Sequence, residues 1–204
     1  MCRSIWLDLS TPEWHALWKQ LCAETGAEIE PPTFWSASRV LMRYRGFNIY
    51  LSNIRSKNRR YTLVQTELPT EPGFSLSISR ASVFDTLGAA IGMPRFYSGH
   101  RPFDELFVVN GSSDELLTNV LNHSVIRRLL EDQPKVVFTL REEPLHKSGH
   151  LTWGATTGMS ILSLDVCEFV TDIQRLKGLF DLQRRTLDVL CEMGVAGTSQ
   201  LSND

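Results

Sequence analysis

Hydrophobic positions along this chain change period several times, and each change marks an element. Trp14, Leu17, Trp18, Leu21 and Cys22 recur at i, i+3, i+4, i+7 and i+8, which predicts a helix between Thr11 and Thr25. Ser10 and Glu13 have capping-box spacing, Pro12 suits a first helical turn, and Gly26 supplies a stop. Beyond Pro31-Pro32 the period falls to two. Val40, Met42 and Tyr44 alternate with Arg39, Leu41 and Arg43; Phe47, Ile49 and Leu51 follow after Arg45-Gly46, which reads as a tight turn between antiparallel strands. Tyr61–Leu68 and Phe74–Ser79 predict two further strands around the Pro69–Gly73 turn cluster, and four consecutive strands with short connections predict a meander. Ser82–Ile91 reads as a short helix stopped by Gly92.

The segment from Gly99 to Leu130 combines a turn, a strand and a helix. Phe103–Val109 is the predicted strand and Asn110-Gly111 its turn. Ser112 and Glu115 then form a capping box, with Leu116, Leu117, Val120, Leu121, Val125 and Leu129 on one helical face. Arg127 and Arg128 fall near the helix end, where positive charge favours the dipole. Lys135–Arg141, His150–Ala155 and Met159–Leu164 predict three more strands, with Gly158 at a turn. From Asp165 onward, Leu162, Val166, Phe169, Ile173, Leu176 and Phe180 keep a 4-3-4-3-4 spacing that Leu187 and Leu190 resume after one polar position, Gln183. That predicts a long C-terminal helix of about 29 residues, about 40 Å at 1.5 Å per residue. The fold class expected is α+β, antiparallel meander sheet or sheets packed by helices, as a single domain over 1–193 with a disordered tail from Gly194 through residue 204.

Composition narrows the function more than it defines it. At 204 residues, 42% hydrophobic and 22% charged, the chain can bury a sizeable core. A formal net charge of −2 argues against whole-molecule attraction to duplex DNA. The four cysteines, Cys2, Cys22, Cys167 and Cys191, show no C-x-x-C spacing; Cys22 and Cys167 fall on expected apolar helix faces and read as reduced core thiols. No run approaches the roughly 18 apolar residues of a membrane span, and the first residues lack the apolar stretch of a secretory signal. The expectation is a soluble cytoplasmic protein without a transmembrane segment.

Candidate chemistry is sparse. His146 and His150, with Glu142 and Glu143 just before them, have metal-ligand residue types, but Pro144 and Gly149 break any helix that would align them, so a polar hairpin loop is expected and no metal site. There is no G-x-S-x-G elbow and no Gly-rich phosphate loop. Asp104 and Glu105 adjoin a strand start between Phe103 and Phe107, where a turn-capping Asp104 is a better reading than a general acid or base. No catalytic residue and no cofactor is expected, and the reading leans away from an enzyme.

Charge asymmetry is the strongest remaining signal. From Pro31 to Thr66 there is no Asp or Glu, yet the span holds Arg39, Arg43, Arg45, Arg55, Lys57, Arg59 and Arg60, interleaved with Phe34, Trp35, Tyr44, Phe47, Tyr50 and Tyr61. A basic, aromatic β-surface suits single-stranded nucleic acid, and equally an anionic headgroup or an acidic protein. The contrary reading is that these arginines pair with acids elsewhere. Arg55, Lys57, Arg59 and Arg60 mark an exposed hairpin tip, the part hardest to neutralise, and form the candidate polyanion-binding set.

Gly99, Phe103, Asp104, Phe107 and Val109, followed by Asp114, Leu116, Leu117, Arg127, Leu129 and Leu130, make a pattern that resembles uncharacterised bacterial α+β proteins with a G-x-x-x-F-D-x-x-F-x-V motif and a leucine-rich helix. The resemblance implies architecture and brings no activity. The function class expected is therefore a non-catalytic binding or scaffold domain. It would engage a protein partner, or self-associate, through the long helix around Leu176 and Phe180 or through the sheet; nucleic acid or another polyanion at the basic surface is the alternative.

Overall fold

A computed structural model describes residues 12–33, 37–56, 59–70, 73–81, 95–142 and 159–197. Its frame is an eight-stranded antiparallel sheet in the order β1-β2-β3-β4-β8-β7-β5-β6: β1 (Glu28–Glu30), β2 (Arg39–Tyr44), β3 (Phe47–Ser56), β4 (Arg59–Pro69), β5 (Leu76–Arg80), β6 (Phe107–Gly111), β7 (Val136–Glu142) and β8 (Met159–Val166). The helices are α1 (Pro12–Thr25), α2 (Arg101–Leu106), α3 (Asp114–Asn122), α4 (Ser124–Glu131) and α5 (Ile173–Glu192). The α+β class and the long C-terminal helix are thus both present.

Period-two patterning sets the faces of the sheet. Val40, Met42, Ile49, Leu51, Val64 and Leu68 are buried, and the same face continues through Leu162 and Leu164 of β8, opposite Thr66 and Val64, to Phe138 and Leu140 of β7 opposite them. Helix α5 lies along that face and buries Leu176, Leu179, Phe180, Leu187 and Leu190. Its 20 residues span about 30 Å. Asp172 caps it by accepting the Arg175 N–H at 2.8 Å. The one polar break in its stripe, Gln183, is fully buried and donates to Thr66 Oγ1 (3.0 Å) and the Leu162 carbonyl (2.9 Å), tying α5 to β4 and β8.

The β2–β3 turn forms where expected. Arg45 and Gly46 both take positive φ, +49° and +83°, the twist a two-residue hairpin needs. Arg45 is held there by Asp188 of α5 at 2.6 Å, an acid that also accepts from the Tyr44 hydroxyl.

Several expectations need correction. The meander holds for β1 to β4, with β1 an unforeseen short edge strand, but β5 leaves it: β8 pairs with β4 and pushes β5 to the far side of β7. The expected strand Met159–Leu164 is β8 and runs on through Asp165 and Val166, so the long helix expected from Asp165 starts only at Ile173 as α5; Cys167 consequently sits after a strand rather than on a helix. Phe103–Leu106 is helical, because Pro102 occupies the first turn of α2, and the strand begins at Phe107. The expected single helix after Gly111 is two, broken at His123, whose extended ψ of 105° serves as C-cap of α3 and N-cap of α4. Ser113, not Ser112, caps α3 by accepting the Leu116 N–H; Ser112 instead bonds Ser75 across the turn. Packing also runs past the tail boundary expected at Gly194: Val195 and Ala196 are buried and Ala196 bridges to Thr70. The expected elements at 82–91 and 150–155, the Ser10 cap, Gly158, Cys2, His146, His150 and Glu143 lie outside the described residues, and Glu142 is engaged by the Gly73 N–H at 2.7 Å.

A candidate polyanion-binding tip

The basic span from Arg39 to Arg60 divides into a paired half and an unpaired half. Arg39 bonds Glu30 at 2.6 Å and lies over the Tyr50 ring at 3.7 Å. Arg43 pairs with Glu28 across β1–β2, and Arg45 with Asp188. The acids absent from the span thus arrive from β1 and α5, and this half reads as structure.

The β3–β4 tip differs. Register places Arg55 directly opposite Arg60 and Ser56 opposite Arg59. Strand alternation then puts Arg55 and Arg60 on the helix-bearing face, above the buried Asn53–Thr62 pair, and Arg59 on the other face. All three arginines are exposed, and among the described residues none forms an ion pair. Lys57 lies outside the described residues. Like charges directly opposed across two strands repel.

Three residues that the sequence reading did not include complete the tip. Arg60 lies over the Phe169 ring at 5.5 Å, and Phe169 takes the edge of Trp14 at 5.2 Å and 81°. The segment carrying Phe169 is fixed from below, where the Val170 N–H donates to Thr62 Oγ1 at 2.9 Å and that hydroxyl donates to Asn53 Oδ1 at 2.9 Å. On the other face Lys135 is exposed, and its carbonyl accepts the Cys167 N–H at 2.9 Å. None of these contacts is local in sequence, so no periodicity could have announced them. The nearby acid Glu168 is committed to Arg175 at 2.8 Å.

Two ionisable groups beside the tip are shifted by burial. Burial, reinforced by Asp165, pushes the Cys167 thiol up despite the opposing pull of Arg59 and Lys135, so it stays protonated and non-nucleophilic. Burial also raises the Asp165 carboxyl, against the hydrogen bond from Ser163 and the charge of Arg141. Elsewhere, an open cleft of about 460 Å³ beside the Gly99 turn is lined by groups already engaged: Asp104 accepts from Ser98 and Gly99, as turn capping requires, and Glu105 pairs with Arg101.

The fold is similar to that of the mycobacterial trehalose monomycolate transport factor A, TtfA. The two superpose with a TM-score of 0.52 at 10% sequence identity, over 86% of this chain and 93% of that one. The likeness is one of fold. No family model matches the chain, and no curated protein matches it. No helix among the described residues is long and apolar enough to cross a membrane.

Proposed function

We propose that this chain is a non-catalytic cytoplasmic binding domain that docks an acidic segment of a protein partner on the β3–β4 tip. The observation that carries this reading is the split in the basic span: Arg39, Arg43 and Arg45 are paired, whereas Arg55, Arg59 and Arg60 have no counter-charge among the described residues. The helix route to a partner is set aside because Leu176 and Phe180 are buried. Nucleic acid is the weaker alternative. Its stacking platforms need free aromatic faces, and at this tip Phe169 is already occupied by Arg60 and Trp14.

The test is fluorescence anisotropy of labelled polyglutamate with the full chain. Binding that weakens steeply with salt, and falls at least about tenfold in the Arg55→Gln/Arg59→Gln/Arg60→Gln variant, is the expected outcome. No binding at low salt, or binding indifferent to salt, overturns it. Tighter binding of oligothymidylate than of polyglutamate at equal charge would favour nucleic acid instead.

A further inference from the structure

The tip carries a sharper chemical preference than a general taste for anions. Arg55 and Arg60 are register partners on one face, with Cβ atoms about 5 Å apart in such a pair, close enough for both guanidiniums to reach one anion. Arg60 is laid on Phe169, and Phe169 is fixed by the edge of Trp14 and by the Val170–Thr62 bond beside it. One of the two forks is thus held in place before any ligand arrives. Glu168, the closest acid in sequence to Phe169, is turned to Arg175.

Two opposed guanidiniums bring two charges and two planar forks. A carboxylate offers one charge and two oxygens, enough for one fork. A phosphodiester, the unit of a nucleic-acid backbone, also carries a single charge. A phosphomonoester carries close to two charges and three acceptor oxygens at neutral pH, which matches both forks at once. We propose that Arg55 and Arg60 cradle the phosphomonoester of a phosphorylated serine or threonine on the protein partner, an inference that rests on the tip-docking reading above. Arg59, on the opposite face, supplies general attraction and takes no part in the cradle. A protein source is favoured over a lipid headgroup because the exposed large hydrophobic residues among those described, Tyr97 and Leu106, belong to the segment around α2 and not to the β3–β4 hairpin, so among the described residues the hairpin offers no exposed large hydrophobic to insert between acyl chains.

The test uses one fluorescein-labelled Gly-Ser-Ser-Ser-Gly peptide with phosphoserine, glutamate or serine at its centre, titrated with the full chain. The phosphoserine form is expected to bind about tenfold or more tighter than the glutamate form, a gap that Arg55→Gln and Arg60→Gln each abolish. Arg60→Lys, which keeps the charge but loses the fork, should abolish most of it too, whereas Arg59→Gln weakens both peptides alike. As pH falls below about 6 the phosphate drops towards one charge and its advantage should vanish, while glutamate at a pKa of about 4.3 still holds its own. Thermal unfolding of each variant confirms that it folds. Equal binding of the phosphoserine and glutamate peptides, or binding of neither, overturns the phosphomonoester; tip docking falls with it only if polyglutamate also fails to bind at low salt. Vesicles containing phosphatidic acid binding more tightly than the phosphopeptide would overturn the protein source.

Discussion

Thr62 shows how one buried hydroxyl positions an exposed site. It donates to Asn53 and accepts from Val170, and so holds Phe169 under Arg60. Thr62→Val keeps the shape and removes both bonds, leaving a buried amide oxygen and a backbone N–H without partners. The expected cost is about 1–3 kcal/mol by urea denaturation, with a weaker phosphopeptide advantage even where the arginines are untouched; an unchanged midpoint would mean that the two groups find other partners. Asp165 makes a second test at this scale. Burial raises its carboxyl in the folded state, so the folded protein holds that proton more tightly than the unfolded chain does. Its contribution to stability is therefore unfavourable at neutral pH and shrinks as pH falls towards the unfolded value of about 3.9. Asp165→Asn, which can still accept the Ser163 hydroxyl, is expected to be more stable than the parent at pH 7, by a margin that closes in acid; a margin independent of pH would discount the buried charge.

At the scale of elements, α5 decides whether the domain folds at all. Leu176→Ala and Phe180→Ala each remove a buried side chain from the contact between α5 and the sheet, and each is expected to cost about 2–5 kcal/mol. Light scattering on whatever remains folded should give an unchanged mass; a mass that falls while stability holds would return the helix to the role of an interface. Much of this frame was legible. The β2–β3 hairpin followed from alternation plus Arg45-Gly46, and the polar break at Gln183 was visible, though only the structure showed it buried and bonded to Thr66. The misreadings share a cause. In β8 the residues on both faces, Ile161 and Ser163 as well as Leu162 and Leu164, are buried, so the strand lost its alternation and its apolar positions fell into step with a helical spacing that truly begins at Ile173. Phe103 and Phe107 stack at 4.5 Å across a helix-to-strand junction, and read as one strand because both are core. The arginines of the tip were legible as a charge run, while Lys135, Phe169 and Trp14 reach it only through tertiary packing.

On the scale of the whole molecule, net charge conceals the arrangement that matters. An overall −2 is compatible with a locally unbalanced tip because the surplus acids are spent on β1–β2, α5 and the helix surfaces. The likeness to TtfA, at 10% identity, is one of fold alone, so the tip arginines, without an ion pair among the described residues, are explained within this chain. Opposed like charges cost stability, and a binding site that tolerates such a cost should show stability and binding moving in opposite directions. Arg55→Glu sets that conflict directly, since it places a carboxylate opposite Arg60 and fills the position an external anion would take. The variant is expected to be more stable by up to about 1 kcal/mol at low salt, about 2–4 °C in Tm for a chain of this size. The gain should fade as salt screens the pair, and polyglutamate and phosphopeptide binding should be lost together. Differential scanning calorimetry and anisotropy on the same preparation measure both. A lower Tm would mean that Arg55 already has a counter-charge in the folded chain, and with it the case for an outside anion at the tip would fail.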